Sequence, residues 1–235
     1  MLNNLIWLRR MLNRLRARAK SAKGFTMVEM LVSLVVNVIV LFALISIFSS
    51  NLSNMTSSTN IDALSQQLEV AMQIMADNIR RAGYWSNASS NLGAGSNNNP
   101  FMAAATDISV TGGNCILFTY DSNSTGSLPS ITSASDDDRY GYRLVNQTLQ
   151  TRPYGATFAC NAAASNWENV TNPTIVQITA LSFTLNSSTV PVGAVSNTML
   201  VRSVDISITG QLTSNNAVTK TLTQHVRIMN DKFVP

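Results

Sequence analysis

Between Phe25 and Phe48 the chain runs for 24 residues with a single charged side chain, Glu29. As a helix, that stretch is long enough to cross a hydrocarbon core of about 30 Å. Whatever the rest of the chain folds into, this segment needs lipid or other apolar helices around it. Glu29 is the anomaly. An ionisable group in an apolar span is costly without a partner, which makes it a functional candidate. The flanks set an orientation: Arg9, Arg10, Arg14, Arg16, Arg18, Lys20 and Lys23 precede the run and no acidic residue does. That pattern holds the N-terminal side at the cytoplasmic face and sends the remainder across. Leucines interleaved with those arginines also suit a basic amphipathic helix lying on anionic lipid. No small-residue cleavage site follows the run, so it is not an ordinary secretory signal. A small residue stands instead just before it, at Gly24, where cleavage would leave the anchor on the mature chain.

The basic composition is concentrated in that leader. Net charge over 235 residues is +4, but seven of the sixteen Lys and Arg lie in residues 1–24. Beyond Gly24, nine basic residues face twelve acidic ones, about −3 in all. Those nine are scattered, so no direct nucleic-acid binding is indicated. Cys115 and Cys160 are the only cysteines and both fall in the exported part. In an oxidising compartment the simplest reading is a disulfide closing a loop of about 45 residues. Two cysteines and one distant histidine do not make a zinc site, and no other metal or cofactor is expected. His225, the one histidine, reads as structural or surface. Asp136-Asp137-Asp138 are three adjacent acids; calcium favours alternating ligands, so they read as a solvated acidic turn rather than a metal site. No nucleophile elbow, phosphate loop or paired catalytic carboxylate is present, and the chain is expected not to be an enzyme.

Four zones follow along the sequence: a basic leader at 1–24, a membrane-spanning helix half at 25–48, an amphipathic helix half at 49–82 and an exported domain at 83–235. In the second helix half, Ile61, Leu64, Leu68, Ala71, Met75, Ile79 and Ala82 recur at three and four, a stripe suited to packing on a sheet. Asp77 and Arg81 are spaced for an i,i+4 pair. Poor helix formers at 49–51 and 57–60 favour a kink or melted turn between the halves. Gly83 is placed to end the helix. Strand-like runs then occupy 107–111, 115–120, 140–145, 148–152, 174–185, 203–212 and 219–228, with Asn146-Gln147 as a tight turn between two of them. Val204, Ile206 and Ile208 alternate with Asp205, Ser207 and Thr209, as in a sheet with one wet face. The expected class is α+β, an antiparallel sheet against the amphipathic half of one long helix.

The stretch Gly24-Phe25-Thr26-Met27-Val28-Glu29-Met30-Leu31-Val32-Ser33-Leu34 resembles the class III signal of type IV pilins and type II secretion pseudopilins. Asn78-Ile79-Arg80-Arg81-Ala82-Gly83-Tyr84-Trp85 resembles the helix exit of the PilW family of minor pilins. Tyr140-Gly141-Tyr142-Arg143-Leu144 with Gln147 to Arg152 is similar to a hairpin of that family. The resemblance implies cleavage by a prepilin peptidase between Gly24 and Phe25, methylation of the new Phe25 amine, and assembly through Glu29 paired with a neighbouring subunit's N-terminal amine. It implies partners, namely other minor pilins and the major pilin, an inner-membrane location and, after assembly, a place at the pilus tip. Ser46 stands where major pilins carry a helix-kinking proline, and Asn37 places an amide mid-membrane; both suit a minor subunit. A J-type pseudopilin of type II secretion has the same signal and architecture and stays open, as does a membrane-anchored periplasmic protein with another role.

Overall fold

The computed structural model describes residues 24–91, 98–129, 138–163, 167–193 and 197–235. The leader before Gly24 lies outside them, as do Asp136 and Asp137. The chain divides between Met55 and Thr56 into two compact units. One helix, α1 (Met27–Arg80), contributes its first half to one unit and its second half to the other. It carries no break at 49–60, contrary to the kink expected from Ser and Asn content. Isolated propensities of a few tenths of a kcal/mol do not interrupt a helix this long.

In the first unit every described side chain from Phe25 (83%) through Phe48 (64%) is exposed. The most apolar 18-residue window of the helix has a mean hydropathy of 2.9. An uncovered apolar surface of that extent is not stable in water and marks a membrane or subunit contact.

The second unit is α+β with two antiparallel sheets rather than one. β1 (Ser109–Thr111), β2 (Cys115–Thr119), β3 (Arg139–Val145), β4 (Thr148–Thr151) and β5 (Glu168–Asn169) form a meander in sequence order. β6 (Val176–Pro191), β7 (Thr198–Leu212) and β8 (Thr219–Arg227) form the other, and β9 (Lys232–Val234) adds to β7 beyond the end of β8. The β3–β4 turn is the tight hairpin expected. Asn146 and Gln147 take φ of 48° and 59°, the left-handed pair that a two-residue primed turn requires.

Leu64, Leu68, Ala71, Met75, Ile79 and Ala82 are buried as the stripe implied, joined by Met72 and Ala76. Ile61, at the start of the stripe, is 42% exposed. These side chains share one core with Ile116, Phe118, Tyr142 and Leu149 of the first sheet and Ile178, Val204, Ile206 and Ile208 of the second. Asp77 pairs with Arg80, at i,i+3 and 3.4 Å, not with Arg81.

The helix ends as the sequence indicates. Gly83 has φ +75°, a conformation that strains any other residue, donates its N–H to Thr119 O at 2.8 Å, and lies against the Met102 side chain. The carbonyls of the last turn find partners in the C-terminal segment. Met229 N donates to Arg80 O, and Asn230 Nδ2 donates to the carbonyls of Arg81 and Ala82. Asn78 joins this exit to the sheet, donating to Tyr142 Oη at 2.6 Å and accepting from Tyr120 Oη at 3.2 Å.

Candidate processing and assembly site

Gly24, Phe25 and Thr26 precede the helix in non-helical backbone, so the Gly24–Phe25 peptide bond is exposed and outside the helical hydrogen-bond ladder. A Cβ added to Gly24 would meet nothing within 4 Å. The chain's own fold therefore does not require glycine here. Phe25 is 83% exposed.

Thr26 and Glu29 form a reciprocal cap at the start of α1. Glu29 N donates to Thr26 Oγ1 at 3.2 Å, while Thr26 N and Thr26 Oγ1 both donate to Glu29 Oε2 at 2.9 Å. This is a capping box, T-x-x-E, in which each residue satisfies an N–H of the other at the helix start. Its signature is legible in Thr26-Met27-Val28-Glu29, although the family resemblance gives Glu29 an assembly role and not a capping one. Glu29 thus has a local function, and the positive end of the helix dipole favours its charge there. Further along, Ser33 Oγ bonds back to Met30 O at 2.9 Å, so that hydroxyl is satisfied within its own turn.

Cys115 and Cys160 lie in the second unit and are disulfide-bonded. The bridge pins the segment after β4 onto β2, within a small cluster of Cys115, Leu117 and Trp167. Arg143 on β3 completes the clasp. Its guanidinium lies 4.2 Å from the Trp167 ring centroid and donates to Cys160 O at 2.9 Å, Ala162 O at 2.6 Å and Gln150 Oε1 at 3.1 Å. Burial lowers the Arg143 pKa from its ordinary value. The arginine of the family-like hairpin is therefore a structural clasp, which spacing alone did not reveal.

Asp138 departs from the expected solvated turn: it is fully buried, and its Oδ1 accepts from Ser122 N and Oγ. His225 is exposed as expected. Strand register places it opposite Asp205, whose Oδ1 lies 2.6 Å from His225 Nδ1. Asn186 also donates to Asp205, so its carboxyl is held below the usual range by His225 first and Asn186 second.

A long apolar N-terminal helix and an antiparallel β domain wrapped on its second half define a pilin-like α+β protein. The chain belongs to the prepilin peptidase-dependent protein B family, whose profile matches residues 58–228. It is similar to prepilin peptidase-dependent protein B of Escherichia coli (strain K12), with 24% identity over 157 residues, covering 66% of this chain and 74% of that protein. No solved structure matches. The family match begins well after Glu29, so the Gly24 junction and the β domain are independent indications of a pilin-related protein.

Proposed function

We propose that this chain is a minor pilin, PilW-like in its role, that helps to initiate a type IV pilus as part of a priming complex and ends at the filament tip. It acts without catalysis. A prepilin peptidase cleaves between Gly24 and Phe25, in keeping with the name of the E. coli relative, and the Phe25 amine is methylated. The apolar half of α1 then holds the subunit in the inner membrane with its β domain on the far side. During assembly Glu29 pairs with the N-terminal ammonium of a neighbouring pilin. Each charge is costly alone in lipid and tolerable as a pair.

The observation carrying this reading is the junction itself: an exposed, non-helical Gly24–Phe25 bond placed directly before an unshielded apolar helix that carries one carboxylate. N-terminal sequencing of protein from a membrane fraction tests it. A mature chain starting at Phe25 is expected, and Gly24→Val should leave the leader attached. A chain beginning at Met1 or after Ser46 would overturn the assignment.

A further inference from the structure

The segment after β2 holds a carboxylate that the fold does not explain. Asp121 is 2% exposed, and among the described residues no lysine or arginine pairs with it. Its two oxygens are treated very differently. Oδ2 accepts from Ser86 Oγ at 2.6 Å and from the N–H groups of Ser86 and Gly126, each at 3.0 Å. Oδ1 is fully buried and accepts nothing. A bare buried carboxylate oxygen is expensive, and native structures seldom keep one without a role.

The residues that follow give the orphan oxygen a context. Asp121-Ser122-Asn123-Ser124-Thr125-Gly126 places oxygen-bearing side chains at the first, third and fifth positions and glycine at the sixth. That is the opening of a D-x-[DN]-x-[DN]-G calcium loop, with a threonine hydroxyl at the fifth position. Gly126 makes the sharp turn at φ +74°, and a Cβ there would strike Asn87. Ser124, a non-glycine, is also left-handed at φ 61°. A second buried acid adjoins the loop: Asp138 takes both donors of Ser122, and its carbonyl accepts from Tyr120 N at 3.2 Å. Among the described residues no three His, Cys, Asp or Glu side chains converge, which is a poor fit to zinc. An all-oxygen set of one or two carboxylates, an amide, a hydroxyl and backbone carbonyls suits a hard divalent cation, and an irregular loop suits calcium better than the strictly octahedral magnesium.

We propose that the Asp121–Gly126 loop binds one calcium ion, with Asp121 Oδ1 as its anionic ligand and the Asn123 and Thr125 side-chain oxygens completing that side. The acidic triplet ending at Asp138 is then not the site. Asp138, its one described member, supplies a neighbouring charge. Bound calcium would lock the connection after the helix exit onto the sheet, because Ser86 and Trp85 both reach into the loop, Trp85 Nε1 donating to Gly126 O at 2.7 Å.

Trp85 also provides the readout. Full-length protein in detergent micelles, stripped with EGTA, is titrated with terbium while tryptophan is excited, and then with calcium or magnesium as competitor. One saturable site is expected, displaced by calcium with a dissociation constant of about 10⁻⁴–10⁻³ M, as in other extracellular modules. Calcium should raise Tm over the EGTA control, and Asp121→Asn and Asn123→Ala should each weaken calcium at least about tenfold through loss of ligand charge or ligand number. Asp62→Asn, an exposed acid on the helix, should change nothing. Absence of saturable calcium binding at millimolar concentration would overturn the proposal. So would a terbium signal or a calcium-dependent Tm unaffected by both loop variants. Should Asp121→Asn fail to fold, Asn123→Ala decides between these outcomes.

Discussion

Asp107 is the residue whose loss the β domain should feel most directly. Its Oδ1 accepts from Arg202 Nη1 at 2.5 Å and its Oδ2 from Lys232 Nζ at 2.7 Å. Arg202 is 3% exposed, so removing the carboxylate would leave a buried guanidinium without its counter-charge. Such a loss costs about 3 kcal/mol or more, whereas exposed pairs such as Lys220–Glu69 contribute about 0–1 kcal/mol. Asp107→Ala is therefore expected to shift the denaturant midpoint of unfolding strongly, and Glu69→Ala hardly at all. Equal shifts for the two variants would refute the ranking. Glu29 teaches a related lesson. Its isolation in an apolar run was legible, but the geometry that makes it a cap appears only when Thr26 is read as the residue before the first helical turn.

At the level of elements, strong periodicity was read correctly and polar strands were not. The α1 stripe and the Asn146-Gln147 turn follow from side-chain spacing and from backbone demands that few residues meet. β6 runs to Pro191, well past the expected end near Leu185, because Asn186-Ser187-Ser188-Thr189 has no apolar alternation to announce a strand. Pairing with Thr198 to Ser203 of β7 holds it instead. β5 and β9, at two and three residues, are too short for any period. Strand order is not encoded locally, which is why two sheets were read as one. The disulfide acts at this level too, closing 45 residues between β2 and the segment after β4. Cys115→Ser should cost about 3–4 kcal/mol in the chain-entropy picture, on the order of 10 °C in Tm for a unit of this size. Thermal melts with and without reductant measure it. A wild-type Tm indifferent to reduction would show that Arg143 and Trp167 hold the loop unaided.

The whole molecule separates its tasks. The β domain that defines the family lies in residues 58–228, while the Gly24 junction, the apolar helix half and Glu29 precede it. Composition indicates this division once the charge of residues 1–24 is set apart, since the part beyond Gly24 is acidic and rich in Ser, Thr and Asn. The Asp121–Gly126 loop proposed to hold calcium has no acidic run to announce it, since Asp121 is its one carboxylate among hydroxyl and amide side chains. The central claim is that Glu29 serves assembly through its charge. Two variants separate charge from capping: glutamine at the third helical position keeps the capping box, and valine removes both. Comparing processed protein in membranes with protein in sheared filaments tests the claim most directly. For Glu29→Gln, wild-type cleavage and membrane insertion are expected, with filament incorporation lost as fully as in Glu29→Val. Glu29→Gln recovered in filaments at the wild-type level, with only Glu29→Val excluded, would mean that the carboxylate caps a helix and does not pair subunits.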